Sequence, residues 1–158
     1  MQLVRCFSDR RERAPLGAAV ATSLGYPLNM TKKIRILAVD DEPIIGQSIA
    51  YNLEAPHREI SVALNGREAL NMAADQKFEL IITDLRMPEA GGLQLVRELR
   101  QRKYDGKIIV LSGNLSPGDN GVYEEFGIDE VVGKPCMMEE LREIVTDLEK
   151  NFELSPTD

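Results

Sequence analysis

Polar and charged side chains follow four separate apolar segments of the chain. They are Asp40 and Asp41 after residues 34–39, Asp84 after residues 78–83, Ser112 after residues 108–111, and Lys134 after residues 130–133. Crowded carboxylates repel one another, and a hard divalent cation such as Mg²⁺, which prefers oxygen ligands, relieves that repulsion. A lysine ammonium and a serine hydroxyl can each hold a phosphoryl oxygen. Together these residue types predict Mg²⁺-dependent phosphoryl transfer to a carboxylate, with Asp84 as the nucleophile.

Each of these residues alone is weak evidence. An Asp-Asp pair after a strand is more often a turn or a helix cap, and a serine or a Lys-Pro pair is common at a surface. The combination is informative because all the features follow successive apolar segments. The prediction therefore depends on whether those segments are neighbouring strands of one sheet.

The apolar segments alternate with helical patterns from Lys33 onward, and five of them indicate strands. The predicted strands are residues 34–39, 60–64, 78–83, 108–111 and 130–133. Strands that alternate with helices predict an α/β fold with a doubly wound parallel sheet and helices on both faces. Functional groups of such sheets gather at the carboxyl ends of the strands. The fourth helix should open at Ser116-Pro117 and be weak, because it contains Gly118 and Gly121.

The composition excludes several classes of function. The chain has 158 residues, 43% of them apolar, and a formal net charge of −7, which disfavours nucleic-acid binding. No apolar run is long enough to cross a membrane. Cys6 and Cys136 form no paired motif, which suits a reducing cytoplasm. The single histidine, His57, rules out a histidine cluster and is expected to be a surface loop residue.

The first 30 residues lack the periodic apolar pattern of the rest. Four arginines precede a small-residue stretch, but Asp9 and Glu12 among them disfavour a signal peptide. Met30 offers an alternative start immediately before the ordered pattern. We therefore expect a flexible N-terminal extension at residues 1–30, one domain at residues 31–154 and a C-terminal tail at residues 155–158.

Four segments together resemble the response regulator receiver domains of two-component signalling. These segments are Val39 to Pro43, Asp84 to Leu93, Leu111 to Gly113, and Gly133 to Pro135. The resemblance covers roughly residues 33–150 and implies a flavodoxin-like (βα)5 fold with strand order 2-1-3-4-5. It also implies a signalling domain rather than an enzyme. We expect this domain to be stand-alone because few residues follow the last helix, and to be cytoplasmic because the cysteines form no paired motif. A sensor histidine kinase or a histidine phosphotransfer protein would supply the phosphoryl group, and a downstream protein would read the resulting change of shape.

The resemblance assigns a role to each matching position. Asp84 is the phosphoryl acceptor, and Ser112 and Lys134 contact the phosphoryl group. Asp40, Asp41 and Asp84 bind Mg²⁺ together with the backbone carbonyl of Arg86, and the Lys134–Pro135 peptide is cis. The output surface would comprise the fourth helix, the fifth strand and the last helix.

Several positions depart from the common family pattern. Val131 stands where many relatives have an aromatic residue, and Cys136 stands where they often have phenylalanine. Arg86 and Asn114, two positions beyond the acceptor and the hydroxyl, are expected to tune the loss of the phosphoryl group.

Three other functions are less favoured by the sequence. A haloacid-dehalogenase-type phosphatase is disfavoured because it needs an acid at the Arg86 position, and a non-phosphorylated pseudo-receiver is disfavoured by the complete acidic set. A DNA-binding regulator is disfavoured because few residues follow the last helix.

Overall fold

The computed structural model of the chain describes residues 33–88, 91–114, 120–135 and 138–153. Strands and helices alternate along this part of the chain. The strands are β1 (Ile34–Val39), β2 (Arg58–Ala63), β3 (Leu80–Asp84), β4 (Lys107–Ser112) and β5 (Glu130–Gly133). The helices are α1 (Pro43–Leu53), α2 (Gly66–Asp75), α3 (Gly92–Gln101), α4 (Asn120–Glu125) and α5 (Met138–Glu153).

The five strands form one parallel sheet in the order β2-β1-β3-β4-β5. This confirms the predicted doubly wound α/β fold and the predicted strand order. The central strand β3 is buried along its whole length, as expected for a parallel strand that is covered on both faces. The carboxyl ends of the strands therefore meet at one edge of the sheet.

Strand boundaries agree with the prediction at β1 and β5 and differ at the other three strands. β2 starts at Arg58, because Arg58 pairs with Ile34 although its side chain is charged. β3 starts at Leu80 rather than Phe78, which is buried before the strand begins. Strand pairing is a property of the backbone, so polar residues extend a strand and apolar residues outside it still join the core.

The helices bury the faces that their apolar spacing predicts. Ile49 and Leu53 of α1 are almost fully buried, as are Leu95 and Leu99 of α3. These helices start directly after the loops that carry polar residues at the strand ends. The packing of their apolar faces on the sheet consequently fixes where those loops lie.

The prediction for His57 was wrong. His57 lies in the loop before β2 as expected, but its side chain is only 8% exposed and its Nε2 lies 3.3 Å from Glu149 Oε2. The last helix, α5, covers this loop and presents Glu149 to both His57 and Arg58. His57 was predicted to be exposed because it lies in a loop, but a helix that is distant in the sequence packs over this loop and largely buries the side chain.

Other predictions fall outside the residues that the structure describes. They concern residues 1–30, the helix start at Ser116-Pro117, Cys136 and the tail at residues 155–158. In the described residues, none of the helices combines the length and the apolar character that a membrane span requires.

Candidate functional site

Strand pairing carries the predicted site residues to one edge of the sheet. Asp84 is the last residue of β3 and pairs in register with Leu111, and Ser112 ends β4 opposite Gly133. The Lys134 N–H donates to the Ser112 carbonyl at 2.7 Å. The hydrogen bonds of the sheet thus set the spacing of the side chains at its edge.

Three carboxylates converge at this edge. One oxygen each of Asp40, Asp41 and Asp84 lies within 4.8 Å of the others. Asp40 and Asp84 are buried, whereas Asp41 is exposed. The Glu42 N–H donates to Asp40 Oδ1 at 2.9 Å, which orients the Asp40 carboxylate just before α1 begins at Pro43. The cluster has one open side, at Asp41, through which a cation can enter.

The second oxygen of Asp40 shows that the cluster suits a metal ion. Asp40 Oδ2 is buried and accepts no hydrogen bond from the part of the chain that the structure describes. A buried carboxylate oxygen without a hydrogen-bond donor is costly, and the Lys134 ammonium, 3.7 Å away, offsets its charge only in part, because the pKa of Asp40 is still raised by burial. The oxygen-only donor set is the type that Mg²⁺ prefers.

Lys134 lies against the carboxylates. Its Nζ is 2.8 Å from Asp84 Oδ2 and 3.7 Å from Asp40 Oδ2. The other oxygen of Asp84, Oδ1, accepts a hydrogen bond of 3.1 Å from the Arg86 N–H. The Asp84 side chain is consequently held at both oxygens, and the predicted cis peptide between Lys134 and Pro135 is confirmed.

The protonation of Asp40 is shifted by its surroundings. Burial raises the pKa of Asp40 above its usual value, and the negative charges of Asp84 and Asp41 add to the rise. The Glu42 N–H and the Lys134 ammonium oppose it. The net effect is that these surroundings disfavour the charged form of Asp40.

Ser112 lies at the strand end beside Asp84, but its hydroxyl makes hydrogen bonds to the backbone of Asn114. Ser112 is 2% exposed, and its Oγ donates to the Asn114 carbonyl at 3.1 Å. The same Oγ lies 3.3 Å from the Asn114 N–H, from which it accepts. Contact between this hydroxyl and a phosphoryl group on Asp84 would therefore require it to exchange its hydrogen bond to Asn114.

Two neighbours of Asp84 were not identified from the sequence. Thr83 is fully buried, and its Oγ1 donates to the Asp84 carbonyl at 3.1 Å. A Cβ atom on Gly92 would lie 2.2 Å from that same carbonyl oxygen. Nothing in the sequence pattern distinguishes Thr83 from the other residues of its apolar strand. The Gly91-Gly92 pair, in contrast, lies at a helix start and could have indicated a close approach of two backbones.

A cavity of about 650 Å³ lies at the opposite end of the sheet. It is lined by residues around the end of α1 and the start of β2, including Tyr51, Glu54 and Arg58. None of the three clustered carboxylates belongs to its lining. The cavity is therefore separate from the acidic cluster.

The chain is similar to known signalling proteins. Residues 36–146 match the response regulator receiver domain family. A relative from Picosynechococcus sp., named as a probable transcriptional regulatory protein, is 38% identical over 119 residues, which are 71% of this chain and 47% of the relative. The chain spans about half the length of the curated relatives it matches.

Solved structures agree with the fold. The receiver domain of Francisella response regulator 1452 is 28% identical with a TM-score of 0.71, and the match covers 76% of this chain and 99% of that one. Response regulator TrrA of Thermotoga maritima, solved in complex with Mg²⁺ and BeF, is 36% identical with a TM-score of 0.63, covering 73% and 98%. The chain therefore belongs to the response regulator receiver domain family.

Proposed function

We propose that the domain accepts a phosphoryl group on Asp84 in a Mg²⁺-dependent reaction and signals by changing shape. The observation that carries this proposal is the arrangement around Asp84. Its carboxylate lies 2.8 Å from the Lys134 ammonium and within 4.8 Å of the Asp40 and Asp41 carboxylates. A nucleophilic carboxylate, a cation for the incoming charge and a set of metal ligands are the parts that such a transfer requires.

The transfer breaks one bond to phosphorus and forms another. An oxygen of the Asp84 carboxylate bonds to the phosphorus of the donor, which is a phosphohistidine of a kinase or phosphotransfer protein, or a small acyl phosphate. The bond from phosphorus to the leaving nitrogen or oxygen breaks, and its electron pair stays on that atom. Lys134 stabilises the charge on a phosphoryl oxygen, and Ser112 holds another after it releases Asn114.

The acidic cluster would hold the Mg²⁺ ion. The Asp41 and Asp84 carboxylates would bind the ion directly with Asp40 beside them, and the Arg86 carbonyl would be the third protein ligand. When bound, the ion neutralises negative charge that accumulates between the carboxylates and the phosphoryl group. Asp40 and Asp41 thereby act as positioning groups, since they hold no bond to the transferred phosphorus.

Acetyl phosphate tests the proposal directly. The protein is incubated with acetyl phosphate in Mg²⁺ or in excess chelator, and its intact mass is measured over time. We expect a gain of one phosphoryl group with Mg²⁺ and none with chelator. No gain under either condition would overturn the proposal. Sustained turnover of a generic phosphate ester would instead favour a phosphatase.

The proposed output surface comprises α4, β5 and α5. Val131 of β5 is partly buried and packs against the core, and valine is too short and too stiff at χ1 to swing as an aromatic side chain would. We therefore expect the loop and helix at residues 113–126 to carry more of the change. Hydrogen exchange with and without beryllofluoride tests this. Changes confined to the edge around Asp84 would contradict it.

The identity of the partners is also part of the proposal. A sensor histidine kinase or a histidine phosphotransfer protein supplies the phosphoryl group, and a downstream protein binds the output surface of a cytoplasmic domain. The acidic net charge of −7 supports a protein target over a nucleic acid. The stand-alone state is a prediction, which the intact mass of the natural protein would check against relatives about twice as long.

A further inference from the structure

The start of α3 lies directly on the backbone of the acceptor. A Cβ atom added to Gly92 would lie 2.2 Å from the Asp84 carbonyl oxygen and 2.9 Å from the Leu85 Cα. Both are backbone atoms, so no side chain can rotate away. The Gly92 N–H also donates to the Leu85 carbonyl at 3.1 Å. The first residue of the helix and the peptide after Asp84 are therefore in direct contact.

Space, and not backbone conformation, explains the glycine at this position. Among the described glycines only Gly127 has a positive φ, of 71°. Gly92 therefore has a backbone that other residues could adopt, and the close contact with residues 84 and 85 accounts for the exclusion of a larger side chain. Glycine at such a site typically marks a close approach of two backbones.

The contact lies within the segment that forms the acceptor site. The Asp84 carbonyl also accepts a hydrogen bond of 3.1 Å from the Thr83 hydroxyl. Arg86, whose N–H donates to Asp84 Oδ1, follows in the same loop. A shift of the peptide between Asp84 and Leu85 would move the acceptor carboxylate and the Arg86 backbone together.

We infer that Gly92 is a positioning residue for phosphorylation: the missing side chain lets α3 set the place of the Asp84 carboxylate and the Arg86 carbonyl. This inference rests on the proposed function. An ordinary contact needs about 3.4 Å where a Gly92 Cβ would have 2.2 Å, so alanine displaces the helix or the acceptor backbone by about 1.2 Å. A displacement of about 1 Å at a reacting group costs on the order of 100-fold in rate.

The test compares Gly92→Ala with two matched alanine variants. Gly91→Ala adds the same atom one residue earlier, where it would lie 3.5 Å from the Leu85 carbonyl oxygen in ordinary contact. Gly106→Ala overpacks the opposite end of the sheet, where the Cβ would lie 2.1 Å from the Tyr104 hydroxyl. The first controls for the added methyl group and the second for a loss of stability.

Two quantities are measured for each variant below its own melting temperature. They are the phosphorylation rate with acetyl phosphate and the Mg²⁺ dissociation constant by calorimetry. We expect Gly92→Ala to lose about 100-fold in rate and to bind Mg²⁺ more weakly, while Gly91→Ala and Gly106→Ala keep the parent values. A folded Gly92→Ala with the parent rate and the parent affinity would overturn the inference.

A second variant covers the case in which Gly92→Ala does not fold. Thr83→Val removes the hydrogen bond to the Asp84 carbonyl without adding a heavy atom. We expect a slower phosphorylation rate in a stably folded domain, and an unchanged rate would count against the inference. If the parent protein itself took up no phosphoryl group, the proposed function would fail instead, so the two failures are distinguishable.

Discussion

Removing the Glu149 carboxylate should destabilise the domain strongly, because this carboxylate neutralises the buried guanidinium of Arg58. Arg58 Nε lies 2.5 Å from Glu149 Oε1, and the two side chains are 4% and 7% exposed. The same guanidinium donates to Glu149 Oε2 at 2.7 Å, to the Leu53 carbonyl at 2.9 Å and to Thr146 at 3.2 Å. Glu149 therefore joins α5 to the start of β2, with His57 as a further neighbour.

The expected magnitude follows from this burial. A buried ion pair that loses one partner leaves an uncompensated charge, which costs about 3–5 kcal/mol. An exposed pair is worth only about 0.2–1 kcal/mol. Asp147 on the same helix provides the exposed comparison, because it lies 2.6 Å from Lys150 with side chains 72% and 68% exposed. Glu149→Ala and Asp147→Ala thus remove the same charge from one helix in two environments.

Urea unfolding at equilibrium measures the difference. For a slope of about 2 kcal/mol/M, Glu149→Ala should lower the midpoint by roughly 2 M, and Asp147→Ala should lower it by a fraction of that. Replacing the pair by Arg58→Met with Glu149→Leu should recover most of the loss, since no charge is then left buried. Equal losses for Glu149→Ala and Asp147→Ala would show that burial of the Arg58–Glu149 pair does not set its contribution to stability.

Three further predictions concern the acidic cluster and the chain start. Burial raises the pKa of Asp40 above 3.8. Between pH 3.8 and this raised pKa the native state binds more protons than the unfolded state. The stability that Asp40 contributes therefore falls as the pH rises through this range. Asp40→Asn should therefore raise the urea midpoint in Mg²⁺-free buffer near neutral pH and lose this advantage below pH 3.8, whereas equal neutral midpoints would contradict the assignment. Asp41→Ala should abolish both Mg²⁺ binding in calorimetry and phosphoryl uptake, and uptake at the parent rate would exclude Asp41 as a ligand. A chain that starts at Met30 should melt within a few degrees of the full chain, because residues 1–29 carry no periodic apolar pattern, and a large drop would show that they stabilise the domain.

Alternating strand and helix patterns predicted the doubly wound sheet and placed the carboxylates at strand ends, whereas the strand order came from the resemblance to the receiver domain family. Asp84 falls at the end of β3 and Lys134 directly after β5 whatever the details of side-chain packing. Parallel pairing then brings these positions to one edge. Errors of one or two residues at the strand ends did not change that result.

Contacts between distant segments could not be read from local patterns. His57 looked like an exposed loop residue because its burial depends on Glu149, which is 92 positions away. The contact of Gly92 with the Asp84 carbonyl depends on where α3 packs, which periodicity does not specify. The hydrogen bonds of Ser112 with Asn114 likewise depend on loop geometry rather than on residue type.

The proposed function depends above all on Asp84 being the residue that becomes phosphorylated. The most direct measurement treats the protein with acetyl phosphate and Mg²⁺, reduces the resulting acyl phosphate with borohydride to homoserine, and locates the modified position by peptide mass spectrometry. We expect homoserine at position 84 alone, with no modification in Asp84→Asn. Homoserine at Asp40, Asp41 or another aspartate of the parent protein, or the same modification in Asp84→Asn, would contradict it.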